Sequence, residues 1–166
     1  MALLPTTLSS FMEVALDPLA PVDSDITSTV PEERIAQAFG AYFKTATPPP
    51  VATAVDGTAV PAMAAAMSFV TPGTPQSGAL IFAAGYAAFW ASMAASPAAF
   101  YPGATIITPP PGLATLADAL AVPFAANNNP AVTLAIASVN LSAVIHPSAG
   151  LGGTFTIPPS APVPIV

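Results

Sequence analysis

The position of the charges constrains this chain more than any other feature. Eight of the ten charged side chains fall within the first 44 residues, and none lies between Gly57 and Ala117. A folded surface stays dispersed in water through interspersed charge. Here charged residues make up 6 % of the chain, against about 25 % in an ordinary soluble domain. The exterior built from residues 57–166 is therefore made of Ser, Thr, Asn, Pro and backbone, or is covered by other chains. The second option explains more, because contiguous exposed apolar surface marks contacts with protein or membrane.

The same count excludes several classes. Binding nucleic acid takes several cations to neutralise phosphates, and Arg34 and Lys44 are the only two, so no nucleic-acid partner is expected. The lack of cysteine removes disulfides, thiolate metal sites and thiol catalysis together. The amino terminus, MALLPTTLSSFMEVALDP, has no basic n-region and carries Glu13 and Asp17 where a signal peptide would be cleaved, so no secretory signal is read. Gly78 to Ser96 is apolar and nearly long enough to span a bilayer. Alanine dominates it and no Lys or Arg flanks it, which favours a helix buried on all sides in a bundle over a membrane span.

Proline sets the organisation, with 22 residues cutting the chain into short elements. Leu8, Phe11, Met12, Ala15, Leu16 and Leu19 recur at helical spacing, predicting a first helix that ends near Asp17-Pro18. Thr29-Val30-Pro31-Glu32-Glu33 reads as a helix start, with Thr29 as cap and acids in the first turn. Ile35, Ala38, Phe39, Tyr42, Phe43 and Ala46 form its apolar stripe, which must stop before Pro48-Pro49-Pro50. Further helices are predicted from about 58–61 to Thr71-Pro72, over 78–96, and from Pro111 to Asn127. Beyond Pro130, the alternation of Val132, Leu134 and Ile136 and the β-branched run Val139 to Ile145 predict one or two strands. Thr154 to Ile157 reads as a short returning strand, and PPSAPVPIV as an extended arm. The aromatic spacing of Phe39, Tyr42 and Phe43 is echoed by Tyr86, Phe89 and Trp90, which allows two related helix–Pro–helix units.

Candidate chemistry is sparse. His146 is the only histidine and sits between Ile145 and Pro147, a turn position rather than a ligand position. Asp56 and Asp118 are the isolated acids; Asp56 in Asp-Gly reads as a turn residue and Asp118 as a solvent-facing helix residue rather than a catalytic pair. Asp17, Asp23 and Asp25 do not match an EF-hand loop, and Gly150, Gly152 and Gly153 are followed by a strand rather than by a phosphate-binding helix start. Asn140-Leu141-Ser142 fits a glycosylation sequon that carries little meaning without a signal peptide. Phe82, Tyr86, Phe89, Trp90, Phe100 and Tyr101 are read as core rather than as a ligand cage. No catalytic, cofactor or metal residue is assigned, no small-molecule substrate is expected, and the chain is read as a non-enzyme.

Four segments, AFGAYF (38–43), YAAFWASMAA (86–95), TPPPGLATLADAL (108–120) and PPSAPVPIV, give an alanine-rich helical body with a triple-proline connection and a proline-rich tail. In this style the chain resembles accessory structural proteins of tailed-bacteriophage virions: tail, neck, baseplate or capsid cement. The resemblance implies a virion subunit present in many copies, with copies of itself and other structural proteins as partners.

The expected fold is α+β. About five short helices over 1–130 precede a β-hairpin-like element at 131–157 and an extended arm at 158–166. The expected interchain surface is Val132, Leu134, Ile136, Phe155, Ile157, Pro158, Pro159, Pro162 and Pro164. Two alternatives stay open: a membrane-associated or pore-forming protein using residues 57–117, and a surface-exposed binding module.

Overall fold

The computed structural model describes residues 3–22, 24–68, 73–145, 154–156 and 162–165. It is α+β, a helical body with a small antiparallel sheet. The helices are α1 (Pro5–Leu16), α2 (Pro31–Lys44), α3 (Ala52–Ala54), α4 (Val60–Met67), α5 (Pro75–Ala95), α6 (Pro97–Phe100), α7 (Leu116–Asn127) and α8 (Leu134–Ile145). A π-helical segment, Val55–Ala59, joins α3 to α4, and a 3-10 turn, Pro111–Thr115, leads into α7. The strands are β1 (Ile106–Thr108), β2 (Thr154–Thr156) and β3 (Val163–Pro164).

Prolines open the helices as the sequence requires: Pro5, Pro31 and Pro75 all sit in the first turn, where the missing N–H removes no intrahelical bond. Helix α5 adds a reciprocal cap, with the Thr74 hydroxyl accepting from the Ser77 amide and Ser77 Oγ accepting from the Thr74 amide. At α2 the predicted Thr29 cap is replaced. Val30 holds the cap position without a side-chain bond, Ser28 Oγ accepts from the Val30 amide and donates to Glu33, and Gln37 Oε1 accepts from the amides of Thr27 and Ser28.

The principal helices form a closed cycle of neighbours: α1 packs on α2, α2 on α4, α4 on α5, α5 on α7, α7 on α8, and α8 back on α1. Across its middle, α2 meets α5 through aromatic rings. Phe39 lies edge-on to Tyr86 (4.6 Å) and Phe89 (4.9 Å), and Phe43 lies edge-on to Phe89 (5.3 Å) and Trp90 (5.6 Å). Such edge-to-face pairs place a positive ring edge on a negative face. The two aromatic runs that echo each other in sequence are thus partners in one layer. Phe82, Phe100 and Tyr101 are buried with them, as the reading of these residues as core required.

Glycine sets the spacing beside this layer. A Cβ at Gly40 of α2 would overlap Val60 Cγ2 of α4, and one at Gly85 of α5 would lie 2.5 Å from Met67 Cγ. Helix α4 is therefore held against both neighbours at positions where they have no side chain.

The strand prediction for residues 132–145 is corrected: 134–145 is helix α8, packed on α1 and α7. Thr133 initiates it, its Oγ1 accepting from the Ile136 amide and its carbonyl from the Ala137 amide. Asn140 donates to Asn127 Oδ1, and Asn127 donates to the Ala137 carbonyl, which ties α8 to the end of α7. The helical body thus extends beyond 130, and the β element is built from other segments. Its order is β1-β2-β3, with Ile107 opposite Phe155 and Phe155 opposite Val163. Strand β1 had no counterpart in the sequence reading, whereas Thr154–Thr156 is a strand as expected.

Two glycine substitutions should change stability in opposite directions. Gly40→Ala gains about 1 kcal/mol of helix propensity but forces the stiff Val60 side chain aside at about 1–3 kcal/mol, so a net loss is expected. Gly57 has nothing within 4 Å of an added Cβ, and Gly57→Ala should be neutral or stabilising by up to about 1 kcal/mol. Urea unfolding followed by circular dichroism measures both.

Candidate functional site

The charged residues are spoken for within the fold. Arg34 is buried, and its guanidinium donates to the carbonyls of Val14 (2.6 Å), Ala15 (3.3 Å), Asp17 (3.2 Å) and Ser28 (3.1 Å). Three of these carbonyls lie at the carboxy end of α1, where orphan acceptors and the negative pole of the helix dipole both favour a cation. The fork of donors turns a buried charge into a cap that locks α1 to α2. Lys44, in the last turn of α2, reaches Asp56 at 3.1 Å and Asp25 at 3.9 Å. Asp56 belongs to the π-helical segment rather than to the turn predicted from Asp-Gly. Asp17 Oδ1 accepts from the Leu19 amide.

Asp56 and Asp118 do not form a pair: Asp56 is engaged by Lys44 beside α2, while Asp118 is exposed in the first turn of α7. Asp23 and His146 lie outside the described residues, as do Gly150, Gly152 and Gly153. Among the described residues no group of three His, Cys, Asp or Glu side chains is placed to hold a metal ion. A cleft of about 380 Å³ between α2 and α4 has Glu32, Glu33, Gln37 and Asp56 on its wall. Glu33 accepts from Ser28, Gln37 spans Thr27 and Ser28, and Asp56 pairs with Lys44. What remains is an acidic wall with no nucleophile–base pair. An apolar groove of about 180 Å³, bordered by Ile35, Met67, Ile81, Phe82 and Phe124, lies between α2, α4, α5 and α7. The sequon Asn140-Leu141-Ser142 is folded into α8 with Ser142 buried.

The residues predicted to meet other chains divide. Leu134 and Ile136 are exposed, now on a helix, and Val132 is half-buried in the turn before it. Phe155 is buried, stacked at 4.4 Å and 4° on Tyr101. Pro162 and Pro164 are exposed, but Val163 between them pairs with Phe155 and the adjoining Ile165 is buried, so this part of the arm docks on its own chain. Ile157, Pro158 and Pro159 lie outside the described residues. Sequence reasoning missed exposed Leu80, Val122 and Val139.

Helix α5 is long and apolar enough to cross a membrane by length and composition. The structure does not bury it on all sides as expected. Phe82, Tyr86, Phe89, Trp90 and Met93 face the core, while Leu80, Ala84, Ala91 and Ala94 face outward.

Comparison with protein-family models, curated proteins and solved structures gives no match for this chain.

Tyr42, Tyr86 and Tyr101 are the chain's three tyrosines, and burial raises the phenol pKa of each well above its ordinary value. At Tyr86 the Trp90 side chain opposes the effect of burial and nearby Tyr42 adds to it. In the unfolded chain these phenols ionise near pH 10. The folded state therefore binds more protons above that pH, and its stability falls as pH rises, by about 4 kcal/mol per pH unit with three such groups. Phenolate absorbance at 295 nm should appear together with loss of helical circular dichroism, with no separate titration before it. A tyrosine titrating in the still-folded chain would contradict the burial.

Proposed function

We propose that this chain is a non-catalytic structural subunit of a large protein assembly. The setting implied by its resemblance is a tailed-phage virion, with copies of itself and other structural proteins as partners. The observation that carries the reading is the combination of an almost charge-free half with large apolar side chains left in water. Leu80, Ile106, Val122, Ile136 and Val139 are all exposed, on elements whose one ionisable side chain among the described residues is Asp118. A monomer gains nothing from such a surface, whereas an obligate interface resembles a core cut in two. The charged groups support the same reading, because Arg34 and Lys44 act as internal ties and the acids beside the α2–α4 cleft lack a catalytic partner.

Helix α5 favours the membrane as a second reading, and one measurement separates the two. The solution mass of the full chain, by light scattering with and without mild detergent, should be a defined multiple of 16.4 kDa that detergent does not change. Solubility in detergent alone would replace this reading with the membrane one, and a stable monomer at every concentration would overturn both.

A further inference from the structure

Helix α8 is inverted for a helix with water on its outer side. Towards α1 and α7 it buries Ser138, Leu141, Ser142 and Ile145. Outward it presents Leu134, Ile136 and Val139, which are 40, 49 and 55 % exposed, together with Ala135 and Ala143. Ser138 Oγ turns back to its own helix, donating to the Ala135 carbonyl at 2.9 Å, and Ser142 Oγ has no partner among the described residues. Burying an unsatisfied hydroxyl costs about 1–3 kcal/mol, and leaving an aliphatic side chain in water forgoes about 1.5–3 kcal/mol of burial. Both terms run against an isolated chain, and both make sense if the outer face is itself an interior. Ile136, Val139 and Ala143 follow one another at three- and four-residue spacing, a single stripe along the helix.

The surface continues beyond α8. On the adjoining α7, Val122 is 74 % exposed, with Ala125 and Ala126 exposed beside it. On α5, the next helix in the cycle, Leu80, Ala84, Ala91 and Ala94 are exposed. The three helices have 21, 12 and 12 residues. At about 1.5 Å per residue and about 10 Å between axes, their outer faces project roughly 700 Å², close to the ~800 Å² per partner of a stable interface. Asp118 is the one ionisable residue among these three helices. A partner selected by charge finds almost nothing to read here, while a second copy can approach without bringing the acids of α1, α2 and their connection into opposition.

We propose that the outer face of α8, continued over α7 and α5, is a self-docking surface on which a second copy of this chain packs about a twofold axis, α8 against α8. The inference rests on the assembly-subunit reading and gives that reading its first contact. A twofold interface is self-complementary. Ile136 and Val139 of one copy fill the shallow places over Ala135 and Ala143 of the other, and the small side chains allow axes about 8–10 Å apart.

Two variants of the full chain test it. With Ile136→Glu and Val139→Glu together, light scattering should fall from an even multiple of 16.4 kDa to half that multiple or less, with helical circular dichroism unchanged. The chain has no cysteine, so Val139→Cys introduces a single thiol close to the proposed axis without burying a charge. Under mild oxidation it should form a disulfide-linked dimer at least tenfold faster than Ser68→Cys, at an exposed position after α4. If the unaltered chain is oligomeric but Val139→Cys links no faster than Ser68→Cys, the docking surface is elsewhere and the assembly reading survives. A chain that is monomeric in water but floats with phosphatidylcholine vesicles has lipid rather than a second copy on this face, and both readings fall.

Discussion

The fold depends on the aromatic contact between α2 and α5. Phe39 and Phe43 meet Tyr86, Phe89 and Trp90 edge to face, and these five rings supply the volume that the alanines around them lack. Alanine-rich helices gain little by burial of their own side chains, so they must approach closely for backbone and Cβ atoms to touch. Gly40 and Gly85 make that possible by letting α4 lie directly against both aromatic helices. Arg34 carries the order outward. By satisfying the carbonyls at the end of α1 it fixes α1 on α2, and α1 in turn is the seat of α8.

Where large side chains mark a buried face, the sequence was legible. Leu8, Met12 and Ala15 on α1, the Phe39–Phe43 stripe on α2, and Leu116 and Leu120 on α7 are buried as their spacing predicts. Leu19 belongs to the same predicted stripe but lies beyond the end of α1 and is fully in solvent. Legibility failed where small residues carry the contact. The buried stripe of α8 includes two serines, so the helical period is invisible to hydrophobicity, and the β-branched residues that suggested a strand are the outward ones. Strand β1 is three residues long between a Gly-containing turn and a triple proline, too short for an alternating pattern to register.

The interchain surface moved for the same reason. Pro-rich arms read as extended, and β3 is extended, but extension leaves open which edge the arm meets. Phe155 stacks on Tyr101 and pairs with Val163, so the nearest partner of this part of the arm is the chain's own sheet. Pro164 fits there because an outer strand tolerates a missing donor. Leu134 and Ile136 remain exposed, although as a helix they share their surface with Val139 rather than with the strands.

The cycle of helices also explains why charge is so unevenly placed. Its α1–α2 arc and the segments that lead from it hold Glu13, Asp17, Asp25, Glu32, Glu33, Arg34, Lys44 and Asp56. The arc α4, α5, α7 and α8 holds Asp118 alone. A helix that must lie close to its neighbours on one side and accept another surface on the other has little room for long solvated side chains on either. Alanine satisfies both demands, at the cost of an exterior that water does not favour. The acidic arc keeps a net negative charge on the molecule and, because it is confined to one side, leaves the opposite side free to dock without like charges facing each other. A chain with two such unlike sides is oriented before it meets a partner, and that orientation is carried by where Asp and Glu are absent as much as by where Leu, Ile and Val are present.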